Sequence, residues 1–218
     1  MNPTPAHSLF DEAYESGSPP WVIGEPQPAI VELERTGHLG GKVLDVGCGA
    51  GEHTMLLTRL GYDVLGVDFS EHAVAQAREN ATRRGIDAHF AVADATRLGE
   101  SPGPHYDTII DSALFHIFDD ADRPRYVAAL HRVCRPGATV HVLALSDAGR
   151  GFGPQVSEEI IRGAFSEGWE LESLETTTYR GVVGAAHAEA IGEPVGARVD
   201  EPAWLARVRR LGRVHGSS

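Results

Sequence analysis

The chain has 218 residues, with 19 Lys and Arg against 31 Asp and Glu for a net charge of −12, and it is 42% hydrophobic and 23% charged. This is the composition of one globular domain of good size, with too little chain for two independent ones. The acidic balance repels nucleic-acid phosphates and anionic lipid, so the expected partner is a small molecule, with no nucleic acid and no membrane.

Residues 1–28 are rich in Pro, Ser and acids, with Phe10, Tyr14 and Trp21 set among them, and read as an N-terminal arm or lid. AIVELERTGHL, from residue 29, reads as a helical stretch leading to Gly40-Gly41. Short β-branched runs then alternate with helical periods. KVLDVG, DVLGVDF, AHFAVAD, YDTIIDSA and ATVHVLALS read as strands. Between them TMLLTRL, HAVAQARENATRR and ADRPRYVAALHRVCR read as helices, the last closed by Pro136-Gly137. Such alternation predicts an α/β domain with a parallel sheet and helices on both faces.

After Ser146 the rhythm changes. A loop at 147–156 precedes a helix, VSEEIIRGAF, and a long alternating strand, WELESLETTTYRG. AWLARVRRL reads as a further strand or helix, making an antiparallel pair at the sheet edge. The Gly/Ala/Pro-rich insert 181–202 reads as a surface loop or short helix. The basic residues Arg207, Arg209, Arg210 and Arg213 read as an ion-paired edge. The expected division is an arm (1–28), a cofactor core (29–146) and an acceptor-side segment (147–218) within one domain.

Cys48 and Cys134 stand in no CxxC or Cys/His pattern, which predicts neither a disulfide framework nor a metal site. The first residues lack a basic segment followed by an apolar one, and no run of about 18 apolar residues occurs, so neither a secretory leader nor a spanning helix is expected. A cytoplasmic monomer or homodimer is the expectation.

Lys42 to Glu52, KVLDVGCGAGE, is a strand running through a glycine-rich turn into a helix. That turn lies at the carboxyl edge of a doubly wound sheet, where ligands bind. Gly47, Gly49 and Gly51 let a ligand lie against the main chain, with Cys48 inside the loop. The spacing is G-x-G-x-G, and Glu52 stands where a dinucleotide fingerprint needs its third glycine. A carboxylate there repels a pyrophosphate.

Asp45 suits a cationic ammonium group. Asp68, followed by Phe69 and Ser70, suits the hydroxyls of a ribose. Asp94 suits an adenine amino group, with the Ala95 N–H beside it. Each of these acids also reads as a helix N-cap. Taken with the glycine turn, they point to a site for an adenosine bearing a positive amino-acid tail.

In this order and spacing DVGCGAG, Asp68, Asp94, IIDSA and CRPG resemble the class I S-adenosylmethionine-dependent methyltransferases over roughly residues 29–146. The resemblance implies a Rossmann-like seven-stranded sheet of order 3-2-1-4-5-7-6 with strand 7 antiparallel. It also implies that Asp45 and the Gly47–Gly51 loop hold the methionine moiety, with Asp111 near its amino group. PWVIGEPQP, residues 20–28, is similar to the entrance of a bacterial small-molecule group that includes mycobacterial heterocyclic-toxin methyltransferases, and distantly to the thiopurine methyltransferase arm. That similarity puts Trp21 over the cofactor and Gly24 and Gln27 near its methionine end. Trp21 also reads as a core aromatic.

DSALFHIF, residues 111–118, lacks the D/N-P-P-aromatic tetrad of enzymes that methylate nucleic-acid amines. His116 is the residue best placed to orient or deprotonate the accepting heteroatom. Phe10, Tyr14, Trp21, Leu114, Phe115, Phe118 and Phe152 are expected to form an apolar slot for a flat ring. The expected reaction is methyl transfer from S-adenosylmethionine to an O, N or S atom of a small aromatic or heterocyclic acceptor. One rival is a nicotinamide-dependent reductase, which needs a pyrophosphate turn that Glu52 spoils and a Tyr-x-x-x-Lys that the chain lacks, Lys42 being its only lysine. The other is a non-catalytic cofactor-binding protein.

Overall fold

The β-branched runs and the helical periods form the elements they predict. A computed structural model describes residues 4, 7–15, 19–103 and 105–212. In chain order it contains α1 (His7–Glu15), α2 (Pro28–Arg35), β1 (Lys42–Val46), α3 (Glu52–Arg59), β2 (Asp63–Asp68), α4 (Glu71–Arg83), β3 (His89–Val92) and β4 (Tyr106–Ser112). Then come α5 (Arg123–Val133), β5 (Cys134–Leu145), α6 (Glu158–Ala164), β6 (Trp169–Val182), α7 (Ala188–Ile191) and β7 (Arg198–Arg210). Short 3-10 turns follow β3 at Ala95–Arg97 and β4 at Phe115–Ile117.

The sheet order is β3-β2-β1-β4-β5-β7-β6, with β7 antiparallel to both β5 and β6. Both the order and the antiparallel strand match the expectation. The parallel register sets Val46 beside Val67 and Asp111, and Asp68 beside Val92, so four strands end along one edge. Between β1 and β4 the winding reverses, which opens a crevice beyond the strand ends.

Strands β1 and β5 are the buried centre: Val43, Leu44, Val46, Val140, Val142 and Leu143 are at most 1% exposed. Each such side chain stabilises the fold by about 1.5–3 kcal/mol. Tyr126 and Leu130 of α5, with Phe165 and Trp169, cover one face. Ile30 and Leu33 of α2, with Tyr179, Val183 and Ile191, cover the other.

Several local expectations are corrected. Helix α5 stops at Val133, and Cys134 is already extended with ψ 144°. Pro136 has no N–H to extend a helix and pushes its predecessor to extended backbone, so the chain leaves the helix early and enters β5. AWLARVRRL is part of a 13-residue strand, β7, which lies inside the sheet while β6 forms the edge. The cationic Arg207 and Arg209 therefore pair across strands with Glu172 and Glu170. Arg213 lies outside the described residues. The insert is part of the core: Val183, Ile191 and Val199 are buried, and α7 lies within it. Of the arm, α1 packs on α4, Tyr14 is 8% exposed, and residues 19–27 lead into α2; residues 1–3, 5–6 and 16–18 lie outside the described residues.

Candidate functional site

A cavity of about 420 Å³ opens where β1, β2, β3 and β4 end. Of the expected residues, Trp21, Gln27, Gly47, Cys48, Gly49, Asp68, Phe69, Asp94, Ala95 and His116 line it. Gly24, Asp45, Gly51, Ser70 and Asp111 do not.

The glycine loop divides into two functions. Gly49 has φ 53°, and a Cβ built on it would lie 2.5 Å from Tyr14 Oη, so only glycine fits beneath the arm. Gly51, at φ 87°, begins α3, and its Cβ would strike the Phe90 ring at 2.8 Å. It serves packing and stays behind the cavity wall. Cys48 is buried, and burial together with Asp45 and Asp68 holds its thiol well above the usual range, so it stays protonated.

Among the strand-end acids, Asp68 accepts one backbone hydrogen bond on each oxygen, from the Gly49 N–H and from the Ser70 N–H, both at 2.9 Å. A carboxylate has about four lone-pair sites, so each oxygen retains capacity for a ligand hydroxyl. Burial pushes its pKa up against those two bonds. Ser70 turns the other way: it caps α4 through Ala73 N–H and donates to Asp11 on α1, which fastens the arm. Asp94 spends one oxygen on the Thr96 N–H and hydroxyl, 2.9 and 2.7 Å away, and still fronts the cavity.

Asp45 and Asp111 are not among the residues that line the cavity. Asp45 is 1% exposed, and its Oδ2 accepts from both the N–H and the hydroxyl of Thr54, tying the end of β1 to the first turns of α3. Asp111 is fully buried and accepts from the Leu114 and Phe115 N–H groups and from the Tyr126 hydroxyl at 2.6 Å. Both carboxyls face their own chain because helices start right after these strands and leave N–H groups without partners. Burial raises each pKa to about 6.

The arm meets the site through Trp21, whose indole N–H donates to Tyr14 Oη at 2.9 Å. Phe10 packs on Trp21 with ring centroids 5.8 Å apart. Gln27 is 3% exposed; its amide accepts from Arg180 N–H and donates to Arg180 O, pairing the arm with β6. The Gln27 backbone N–H donates to His53 Nε2 at 3.0 Å, so His53 carries its proton on Nδ1, 4.0 Å from Asp45 Oδ1. Burial lowers the His53 pKa to about 4. Gly24 supplies a turn at φ 76° outside the cavity.

On the β4 and β5 side, His116 is 6% exposed, and the Leu145 backbone N–H donates to its Nδ1 at 2.9 Å. A neutral imidazole then carries its proton on Nε2, which presents a donor. Burial lowers the pKa to about 4. The lone pair a general base needs is spent on Leu145, so the structure favours orientation over deprotonation. Leu114, Phe118 and Phe152 line the cavity, whereas Phe115 is fully buried and stacks on Phe165 at 5.6 Å, outside the expected slot. Ser112, His53, Tyr179 and His187 are wall residues that sequence reasoning missed. Tyr179 had a signal, the inward phase of the β6 alternation; His187, in an aperiodic insert, had none.

Comparisons with known proteins agree with this arrangement. Residues 43–137 match a family model described as a methyltransferase domain. A 2-heptyl-1-hydroxyquinolin-4(1H)-one methyltransferase of Mycobacteroides abscessus is 35% identical over 180 residues, 76% of this chain and 78% of that protein. A solved structure from work on the conversion of a disulfide bond into a thioacetal group during echinomycin biosynthesis has 38% identity and a TM-score of 0.83, over 94% of this chain and 92% of that one. The magnesium protoporphyrin IX methyltransferase of Synechocystis PCC 6803, solved with bound S-adenosylmethionine, shares the fold at 18% identity and a TM-score of 0.60, over 92% of this chain and 79% of that one. No helix among the described residues is long and apolar enough to cross a membrane. With strand order, glycine loop and overall similarity in agreement, the chain belongs to the S-adenosylmethionine-dependent methyltransferases.

Proposed function

We propose that the cavity holds S-adenosylmethionine along the strand ends and delivers its methyl group to an O, N or S atom of a small aromatic or heterocyclic acceptor. The observation that carries this reading is that the Gly47–Gly49 turn, Asp68 and Asp94 front the same cavity as His116, Phe152 and Tyr179. A cavity of this size falls in the range that encloses small ligands. The fit is supported by Gly47 and Gly49, which line the cavity, and by the unused lone pairs of Asp68.

In this reading Asp68 and Phe69 hold the ribose, Asp94 and Ala95 the adenine, and the loop of Gly47, Cys48 and Gly49 the methionine end under Trp21. Asp45, Gly51 and Asp111 support the loop from behind, Ser70 and Gln27 moor the arm, and Gly24 turns it. When bound, S-adenosylmethionine supplies a methyl carbon on a sulfonium: the acceptor's lone pair forms the new bond while the old carbon–sulfur pair stays on sulfur as a neutral thioether. The protein's part is to align the acceptor with that carbon and to keep water out. The Phe10, Tyr14 and Trp21 cluster excludes water. His116 Nε2–H holds the accepting heteroatom, and the acceptor's own proton is lost to solvent, which suits thiols, acidic phenols and N-hydroxy heterocycles.

Charge supports a small acceptor over a nucleic acid, because no Lys or Arg is among the described residues that line the cavity. Glu52 lines it at the first turn of α3, which disfavours a nicotinamide dinucleotide. The buried thiols of Cys48 and Cys134 support a reducing, cytoplasmic setting. Transfer of labelled methyl from S-adenosylmethionine to a panel of arene thiols, phenols and hydroxyquinolones tests the proposal. Methylation of at least one class is expected; cofactor binding with transfer to none would instead mark a binding protein.

A further inference from the structure

The acceptor side of the cavity carries a wall whose second ring, His187, the methyl-transfer reading gives no role. Phe152, from the loop after β5, stacks on His187, which precedes α7, with ring centroids 5.3 Å apart and planes 28° from parallel. Both rings line the cavity. The back of the Phe152 ring lies against Gly181 of β6, where a Cβ would collide with it. His187 Nδ1 is turned away from the open cavity, buried beside Gly184 without a hydrogen-bond partner, so the ring meets the cavity as a flat surface.

One ion pair fixes this wall. Arg150 donates from its backbone N–H to Glu201 Oε2 at 3.0 Å and from its guanidinium to Oε1 at 2.6 and 2.9 Å. It also donates to Ile191 O at 3.2 Å, at the end of α7. Glu201 is 1% exposed, so β7, the Phe152 loop and the His187 segment are locked together at a buried carboxylate. Such a bidentate contact fixes geometry as well as sign.

Charge gives the second half of the argument. The ionisable residues on the cavity wall include Glu25, Glu52, Asp68 and Asp94, with no Lys or Arg among the described lining residues. An acceptor that carries a carboxylate or phosphate and no positive group of its own meets acids and no cationic side chain there, whereas the cofactor's carboxylate has its own ammonium beside it; an unpaired buried charge is costly.

Resting on the reading of the cavity as a joint cofactor and acceptor site, we infer that the Phe152–His187 stack selects the acceptor: a planar molecule with an apolar body and no fixed anionic group. Arg150 and Glu201 act as positioning residues behind it.

The test compares 2-naphthalenethiol with 6-mercapto-2-naphthoate as methyl acceptors, with S-adenosylmethionine affinity measured separately by calorimetry. The wild type should favour the uncharged thiol by about tenfold or more in kcat/KM. His187→Ala and Phe152→Ala should raise KM for it about tenfold and leave kcat and cofactor affinity near wild type. His187→Arg supplies a cation and should narrow or invert the preference. Glu201→Gln should raise KM in the same way, with partial recovery in Glu201→Asp. Equal use of the two thiols by wild type, or unchanged KM in both His187→Ala and Phe152→Ala while cofactor still binds, would overturn the inference. Failure of wild type to bind the cofactor would instead overturn the reading beneath it.

Discussion

Leu145 and His116 are joined by a hydrogen bond in which the Leu145 backbone N–H donates to His116 Nδ1 at 2.9 Å. Because an N–H can only donate, the bond assigns the tautomer and leaves Nε2–H as the donor toward the cavity. His116→Asn keeps an acceptor for Leu145 but loses that donor. It should fold and lower kcat/KM by about tenfold, the scale of one lost hydrogen bond to a developing product. His116→Ala also leaves the Leu145 N–H unpaired and should cost about 1–3 kcal/mol of stability on chemical denaturation. A limb near pH 4 in the wild-type kcat profile that vanishes in His116→Asn would restore the general-base role.

Asp111 gives a prediction of opposite sign to the common one for carboxylates. Its folded pKa is raised to about 6 by burial, so its contribution to stability is full below the ordinary carboxylate range and is lost as pH rises through about 6. Asp111→Asn should therefore be at least as stable as wild type at pH 8, by thermal unfolding, and should bind S-adenosylhomocysteine equally well. A loss of affinity in this variant would return Asp111 to the cofactor.

The buried histidines oppose that carboxyl. His53, His116 and His141 are each pushed down to about 4 by burial, so the unfolded chain binds more protons than the folded one between about pH 4 and 6.5. They make stability rise with pH in that window, while Asp45 and Asp111 make it fall. Removing one opposing term with Asp111→Asn should steepen the rise relative to wild type. Parallel stability curves for the two proteins would contradict these assignments.

Two glycines two residues apart should fail differently. Gly49→Ala sets a methyl 2.5 Å from Tyr14 Oη at the cavity wall, so it should weaken cofactor binding more than it lowers Tm. Tyr14→Phe removes the opposing oxygen and should return part of the affinity. Gly51→Ala meets Phe90 at 2.8 Å and Ala77 at 3.0 Å in a small core cluster, so it should lower Tm first. Calorimetry and thermal unfolding on both variants separate the two outcomes.

Ala113, at φ 72°, is the one described non-glycine residue with a positive φ, and it lines the cavity just after β4. The left-handed region costs an alanine about 1–2 kcal/mol. Ala113→Gly should be tolerated in stability, whereas Ala113→Val, branched at Cβ, should lose about 2 kcal/mol or more. Equal unfolding free energies for the two variants would show the strain to be unimportant.

What was legible in the sequence was local in origin. Strand and helix periods, the Gly47–Gly51 turn and the acids at 68 and 94 each follow from a few neighbouring residues, and the sheet order followed from a family resemblance. Whether a strand-end carboxylate faces a ligand or its own helix depends on groups supplied from elsewhere. Thr54 claims Asp45, and Tyr126 claims Asp111 from 15 positions away. The end of α5 moved because Pro136 acts upstream of itself. Phe152 was foreseen in the slot, but its partner His187 was not, because it comes from an aperiodic segment held to the Phe152 loop by Arg150 and Glu201.

Asp68 offers the most direct test of the cofactor site. Binding of S-adenosylhomocysteine should be measured by calorimetry on wild type, Asp68→Asn and Asp68→Ala, with circular dichroism as the control for folding. Asn keeps an oxygen for a backbone N–H, so that variant should stay folded. The account predicts one-to-one binding by wild type and a loss of about tenfold or more in both variants, the scale of a lost charge-assisted hydrogen bond. Affinity equal to wild type in folded Asp68→Asn and Asp68→Ala would contradict a ribose held at the end of β2, and with it the orientation assigned to the whole site.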